Sequence, residues 1–179
     1  IRKTGLFFVP YLLGVMGPYW DSNAKGILIG ISGNTTQFDI YRSIMESIVL
    51  EQIFTLNIIL KKTKKSINKI IAIGGGAESD IWCQMFANIS GIKIERPRNS
   101  EGTSLGLVIL ALVHLGYYKS TRKAANLILS KQKKKIFLPN KKEFFLSKKI
   151  LNLYSKIYLQ NKNLFSEIKK LKDNIHKDE

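Results

Sequence analysis

The residues best suited to chemistry are Gly74-Gly75-Gly76-Ala77, followed at once by Glu78-Ser79-Asp80. They stand between an apolar run, residues 69–73, and a segment whose apolar residues recur at helical spacing: Ile81, Trp82, Met85, Phe86 and Ile89. That order reads as strand, glycine turn, helix. Glycines at the carboxyl end of a strand let a ligand come close to the backbone, and the amides that open a helix attract phosphate or a polar nucleotide group. The stretch fits neither standard phosphate loop: GxxxxGK[ST] is absent, and the spacing is not that of GxGxxG with an acidic residue closing a second strand. Two readings stay open on the residues alone, a nucleotide or phosphate site and a tight structural turn in which Ser79 or Asp80 caps the helix.

The other reactive residue types are isolated. Arg42 and Glu46 lie four apart, the spacing of a structural ion pair more often than of a catalytic couple. His114 falls in an apolar helix and His176 in the terminal tail, neither with a neighbour that would make it a base or a ligand. Cys83, one turn into a buried helix, reads as a small core residue and not a nucleophile. Tyr19, Trp20 and Asp21 concentrate large side chains in the glycine-rich loop 14–26, which makes that loop a docking surface or a plug of the core, the plug being the commoner case.

The elements that must position these groups follow from periodicity. Residues 5–13 read as strand interrupted at Pro10, residues 27–31 as a short strand, and residues 37–60 as a long helix capped near Thr35 or Thr36. A strand over 92–95 precedes the loop PRNSEG, and residues 103–115, apolar nearly all round, read as a helix buried against a sheet and ended by Gly116. Further on come a helix through Ile128, an extended IFLP at 136–139, and a long helix over 142–172 with Phe145, Ile150, Leu153, Ile157, Leu164, Ile168 and Leu171 on its expected apolar side. Alternating strands and helices between residues 27 and 115 predict an α/β domain with a mostly parallel or mixed sheet, the late helices packed outside it.

Composition narrows the class. With 179 residues, 45% of them hydrophobic, the chain is long enough for its own core, and wholesale disorder is excluded. One cysteine and two histidines exclude the disulfide-built secreted class and the zinc-finger class. No apolar run reaches the roughly eighteen residues of a membrane span, and no signal peptide opens the chain, so a soluble protein of a reducing compartment is expected. The formal charge of +16 divides as 0, +5 and +11 over residues 1–60, 61–120 and 121–179. Its lysine runs, Lys133-Lys134-Lys135 among them, read first as a solvated face and second as a surface for an anionic partner. The chain starts at Ile1 inside strand-like sequence, as a piece of something longer would.

Five stretches carry a resemblance when taken in order: FFVPYLLG, GPYWDSNAKGILIGIS, YRSIMESIVLEQ, IIAIGGGAESDIWCQMFANISG and EGTSLGLVILALVHLGYY. Together they resemble the carboxyl-terminal domain of the FGGY carbohydrate kinases, and most of all its xylulokinase branch. The resemblance covers residues 5–120 well and extends weakly to about 172. It implies an actin-like ATPase fold of the ribonuclease H-like kind, a mixed central sheet with flanking helices, incomplete at its amino-terminal edge. Residues 1–120 would form the core of that domain, 121–172 a helical extension packing on it, and 173–179 a frayed tail.

The implied activity is transfer of the γ-phosphoryl group from ATP, with Mg2+, to a sugar hydroxyl, D-xylulose or a related pentulose. Carried over by position, Gly75, Gly76 and Ala77 match the adenosine-binding turn, Gly74 shapes it, and Ser79 and Asp80 fall beside the adenine. Glycerol kinases place an asparagine where Asp80 stands. Residues 101–106, EGTSLG, match the segment that opens a helix behind the nucleotide site. The family's sugar site, phosphate hairpin and general base belong to an amino-terminal kinase domain, which becomes the expected partner, and the chain alone is expected to be inactive. The resemblance leaves a homodimer open and implies a cytoplasmic protein with neither membrane nor nucleic acid as partner. A catalytically silent actin-like interaction module, and then a basic nucleic-acid-binding domain, are the alternatives.

Overall fold

The computed structural model describes residues 5–98 and 101–175. It divides into two compact units, one built from residues 1–66 and 142–179, the other from residues 67–141. His176, the first four residues, and Asn99 and Ser100 of the PRNSEG loop lie outside the described residues.

In the first unit, strand β1 (Phe7–Val9) pairs antiparallel with β2 (Ile27–Ile29), Phe8 opposite Leu28. Pro10 ends β1, as its missing N–H requires. Helix α1 (Gln37–Thr63) starts at Thr36, whose side chain accepts from the Asp39 amide while the Asp39 carboxylate accepts from the Thr36 amide. This reciprocal cap satisfies two amides that a helix start leaves without partners. Lys61 and Lys62 close the helix, where cations suit the dipole. α1 packs on β1 and buries Val49, Leu50 and Ile53. Against expectation, α1 is long and apolar enough to cross a membrane by length and composition. Here it is the core helix of its unit, with Ser43, Glu46 and Ser47 also buried; both serine hydroxyls donate to carbonyls one turn back.

Helix α5 (Lys141–Ile175) completes this unit. Its buried face is Ser147, Tyr154, Ile157, Tyr158 and Phe165, so of the aliphatic side expected from periodicity only Ile157 is buried. Phe145, Leu153, Leu164 and Leu171 are at least half exposed. The reason is the tyrosines: each ring brings a large apolar area with a hydroxyl that finds a carboxylate inside, and they set the rotation of the helix.

The second unit is a three-stranded sheet in the order β3-β4-β5. β3 (Lys69–Ile71) and β4 (Lys93–Pro97) run parallel, linked by α2 (Asp80–Ser90), and β5 (Lys134–Phe137) returns antiparallel along β4. This is the mixed sheet that the alternation of elements predicts. Ala77, Cys83, Ala87, Ile94 and Phe137 form its core, with Ile70, Ala72 and Phe86 packed around them. Cys83 is a core residue, as its position implied; burial pushes its thiol up, and Sγ donates to the Ala77 carbonyl. Helix α3 (Gly102–His114) and helix α4 (Thr121–Ser130) pack on each other. α3 is not buried all round: Ile109 alone among its residues is buried, while Leu107, Val108 and Leu110 are more than half exposed. Within this unit the cover extends over one stripe of the helix, and the remaining apolar side chains face outward.

Candidate functional site

The glycine segment leaves the carboxyl end of β3 beside that of β4, where the Ala72 amide still donates to the Glu95 carbonyl at 2.9 Å. Parallel strands joined through a helix place such a turn at an open edge, the usual ligand position of α/β sheets. Gly74 turns the chain with φ +85°, a conformation that costs a residue with a side chain dearly. One turn of 3₁₀ helix, Gly75–Glu78, follows, closed by the Ala77 amide on the Gly74 carbonyl (3.0 Å) and the Ser79 amide on the Gly76 carbonyl (3.3 Å). Ser79 then caps α2, its Oγ accepting from the Trp82 amide at 3.2 Å.

The three consecutive glycines do different work. Nothing lies within 4 Å of the space a Cβ on Gly75 would take, so this backbone is open to an approaching group. At Gly76 a Cβ would run into the Trp82 ring, and Gly76 is therefore glycine for packing. Trp82 Nε1 is buried there without a partner among the described residues. Ala77 is buried and pins the turn to the core.

Arg96, near the carboxyl end of β4, holds the turn from the other side. Its Nη1 donates to the carbonyls of Ala77 and Glu78, both at 2.8 Å, and its Nη2 pairs with Asp80 Oδ1 at 2.9 Å. The guanidinium also lies over the Phe137 ring, 5.5 Å from its centroid. A planar fork of donors serves three acceptors at once, which a lysine ammonium could not do in that geometry. Asp80 Oδ2 takes Lys135 Nζ. Lys135, then burial against it, then Arg96 set its acidity, and the balance holds the Asp80 carboxyl below the usual carboxylate range. Both carboxylate oxygens of Asp80 thus already have cationic partners.

The sequence reading placed Gly74, Gly75, Gly76, Ala77, Ser79 and Asp80 together, and the fold brings them into one turn and one cap. It missed Arg96. The available signal was a cation standing between buried positions of a strand parallel to β3, at the end where the glycines lie. The segment 101–106 opens α3 against the same region, with Gly102 so near Ile73 Cδ1 that a Cβ would sit 2.8 Å from it. Among the described residues no group of three or more His, Cys, Asp and Glu is placed to hold a metal ion.

In the first unit the loop 14–26 divides its aromatic residues between two roles. Tyr19 stacks on Tyr158 at 4.1 Å and on Phe54 at 6.2 Å, plugging the core, whereas Trp20 is 77% exposed. Asp21 accepts from the Tyr158 hydroxyl at 2.8 Å, which lowers its pKa despite partial burial. Arg42 and Glu46 form the expected ion pair at 2.9 Å on α1, the exposed Arg42 reaching the buried Glu46 carboxylate.

Comparisons with known proteins give the family and the fold. The model of the FGGY family of carbohydrate kinases, C-terminal domain, matches residues 2–115. A xylulose kinase of Staphylococcus epidermidis is 33% identical over 168 residues, 94% of this chain and 33% of that protein. A glycerol kinase of Saccharolobus islandicus is 37% identical over 123 residues, 69% of this chain and 25% of that protein. The crystal structure of a ligand-bound xylulose kinase from Lactobacillus acidophilus superposes with a TM-score of 0.77 at 27% identity, covering 91% of this chain and 32% of that one. The chain spans about one third of the length of these xylulose kinases. The mixed α/β architecture is that of the actin-like ATPase fold, as the resemblance implied. On this likeness in sequence and structure, the chain belongs to the FGGY family of carbohydrate kinases and corresponds to its carboxyl-terminal domain.

Proposed function

We propose that this chain is the nucleotide-side part of an ATP-dependent sugar kinase of the cytoplasm. Its turn Gly74–Ala77, with Ser79 and Asp80 at the helix opening, would receive the adenosine of ATP. The observation that carries this reading is the open backbone at Gly75, on a turn that Arg96 and the buried Ala77 hold rigid at the end of two parallel strands. A preorganised, side-chain-free backbone is what close approach of a flat nucleoside requires. In the reaction, a sugar hydroxyl oxygen bonds to the γ-phosphorus, the bond from that phosphorus to the β–γ bridging oxygen breaks, ADP departs, and the hydroxyl proton passes to a base. In this reading the base, the Mg2+ ligands and the sugar contacts belong to an amino-terminal kinase domain. D-xylulose or a related pentulose is the proposed acceptor, supported by the likeness to xylulose kinases in both sequence and structure.

Amide hydrogen exchange of the chain with millimolar ADP and Mg2+ tests the turn. Protection should appear over residues 74–80 and vanish in Gly75→Val, whose side chain enters open space and leaves the melting temperature unchanged. Protection that is absent in the parent chain, or that persists in the variant, overturns the assignment. The chain alone, given ATP and D-xylulose, should release no ADP; turnover would show that the base lies within it.

A further inference from the structure

The antiparallel pairing of β4 with β5 sets Arg96 opposite Lys135. One step beyond Pro97 and Lys134 the Arg98 amide donates to the Lys133 carbonyl at 2.8 Å, so Arg98 faces Lys133 in the same register. Arg98 and Lys133 stand one residue past the ends of the two strands, and they line one cavity together with Arg96, Lys135 and Glu78 of the glycine turn. Like charges directly opposite each other oppose pairing. For the inner pair the protein supplies the counter-ion itself, since Asp80 bridges Arg96 and Lys135. On the opposite side of the sheet Glu95 does the same for Lys69, Lys93 and Lys134. The outer pair, Arg98 and Lys133, has no carboxylate partner among the described residues.

That pair opens on a cavity of about 440 Å³ whose walls include Arg96, Arg98, Lys133, Lys134 and Lys135 against a single carboxylate, Glu78. The volume lies in the range of small-molecule pockets and admits a condensed phosphate. A guanidinium fork beside an ammonium is the pairing that phosphate oxygens accept best, the fork giving two parallel bonds and the ammonium a point charge. We propose that Arg98 and Lys133 form a binding site for a condensed phosphate, in which the anion completes the charge pattern that Asp80 completes for the pair one step inward. The phosphate groups come either from a free oligophosphate or from the nucleotide itself. This site stands on the cation pairs and the cavity, and not on the adenosine assignment.

The test titrates the 179-residue chain with inorganic pyrophosphate, with ATP and with adenosine by calorimetry, at low and at physiological salt. Pyrophosphate should bind with one-to-one stoichiometry, more weakly as salt rises, and Arg98→Ala with Lys133→Ala should weaken it roughly tenfold or more, the loss of two charge-assisted contacts. Both residues are exposed, so the double variant should fold; removing like charges from opposite strands should raise its melting temperature without anion. Lys61→Ala with Lys62→Ala, at the end of α1, should leave pyrophosphate binding unchanged. Competition separates the sources: pyrophosphate binding that saturating ATP leaves unchanged marks a free oligophosphate site, whereas pyrophosphate displaced by ATP, with ATP affinity falling in the double variant while adenosine affinity holds, marks the nucleotide's own phosphates. The proposal is overturned when neither pyrophosphate nor ATP responds to the double variant, or when random duplex DNA is the only anion that binds. Failure of adenosine to bind at all defeats the adenosine assignment alone.

Discussion

Two carboxylates, Glu51 in the first unit and Glu95 in the second, show opposite ways of putting a charge inside a protein. Glu51 Oε2 accepts from the hydroxyls of Tyr11 (3.0 Å) and Tyr154 (2.8 Å), both of them buried residues. Burial pushes the Glu51 carboxyl up, and the two phenols pull it only part of the way back. The tyrosines are pushed up in turn, by burial first and by Glu51 second. Glu95, 7% exposed, meets Lys93 at 2.9 Å, Lys69 at 3.4 Å and Lys134 at 3.5 Å, and Lys93 first and Lys69 next hold its carboxyl down at about 2. Neutral donors let the first unit close an aromatic core around a polar group. Cations keep the second unit's sheet charged on the side opposite the glycine turn. The first arrangement serves cohesion of β1, α1 and α5, and the second neutralises the lysines that the pairing of β3, β4 and β5 brings together.

The largest effect should follow from breaking the neutral arrangement. Glu51→Ala strands two buried hydroxyls and should cost about 3 kcal/mol in urea unfolding, since hydrogen bonds to a charged acceptor are worth roughly 1.5–3 kcal/mol each and the two share one oxygen. Tyr154→Phe should cost about half of that. A loss below about 1 kcal/mol for Glu51→Ala would mean that water replaces the carboxylate and that the contrast between the units is false. Next in size is Arg96→Ala, at about 2 kcal/mol, because the carbonyls of Ala77 and Glu78 lose their shared donor while Asp80 keeps Lys135. Arg96→Lys should recover less than half, since one ammonium cannot reach two carbonyls and a carboxylate together. Full rescue by lysine would show that the charge matters and the fork does not.

What the residues disclosed in advance follows the same division. The strand, turn and helix around Gly74–Asp80 were legible because each step has a local cause: an apolar run, glycines, a serine cap and a helical repeat. The cap of α1 at Thr36 was legible for the same reason. The partners of Glu51 were not, for Tyr11 lies 40 residues before it and Tyr154 103 residues after it, and no local pattern joins them. Arg96 escaped for the same reason, since its acceptors belong to a turn reached only through the parallel pairing of β3 with β4. The aliphatic stripe expected on α5 failed because periodicity counts apolar residues and gives tyrosine no weight as a buried residue with a satisfied hydroxyl. For Lys133-Lys134-Lys135, composition pointed first to a solvated face. The register with β4 shows instead that Lys134 and Lys135 are tied to Glu95 and Asp80, and that Lys133 stands against Arg98.

The smallest effect separates the two carboxylates by sign. Glu95 has a folded pKa of about 2 against an ordinary value of 4.5, so above pH 4.5 the folded state holds the favoured anion and its full contribution is present. As pH falls from 4.5 to 2 the unfolded chain takes up the proton first, and that contribution is lost. Glu51 has its folded pKa raised above 4.5, so the folded state keeps a proton longer. Its contribution is full below pH 4.5 and is lost as pH rises through the raised value. Glu95→Gln should therefore flatten the acid side of the stability profile, and Glu51→Gln the side above pH 4.5. Because the lysine side chains around Glu95 are 38–43% exposed, water and salt screen the pairs, and the acid-side change should be the smaller of the two and shrink further in high salt. The Glu51 change should be nearly indifferent to salt, because its partners are uncharged hydroxyls. If both slopes respond to salt alike, the distinction between phenol-held and lysine-held carboxylates fails as an account of the two units.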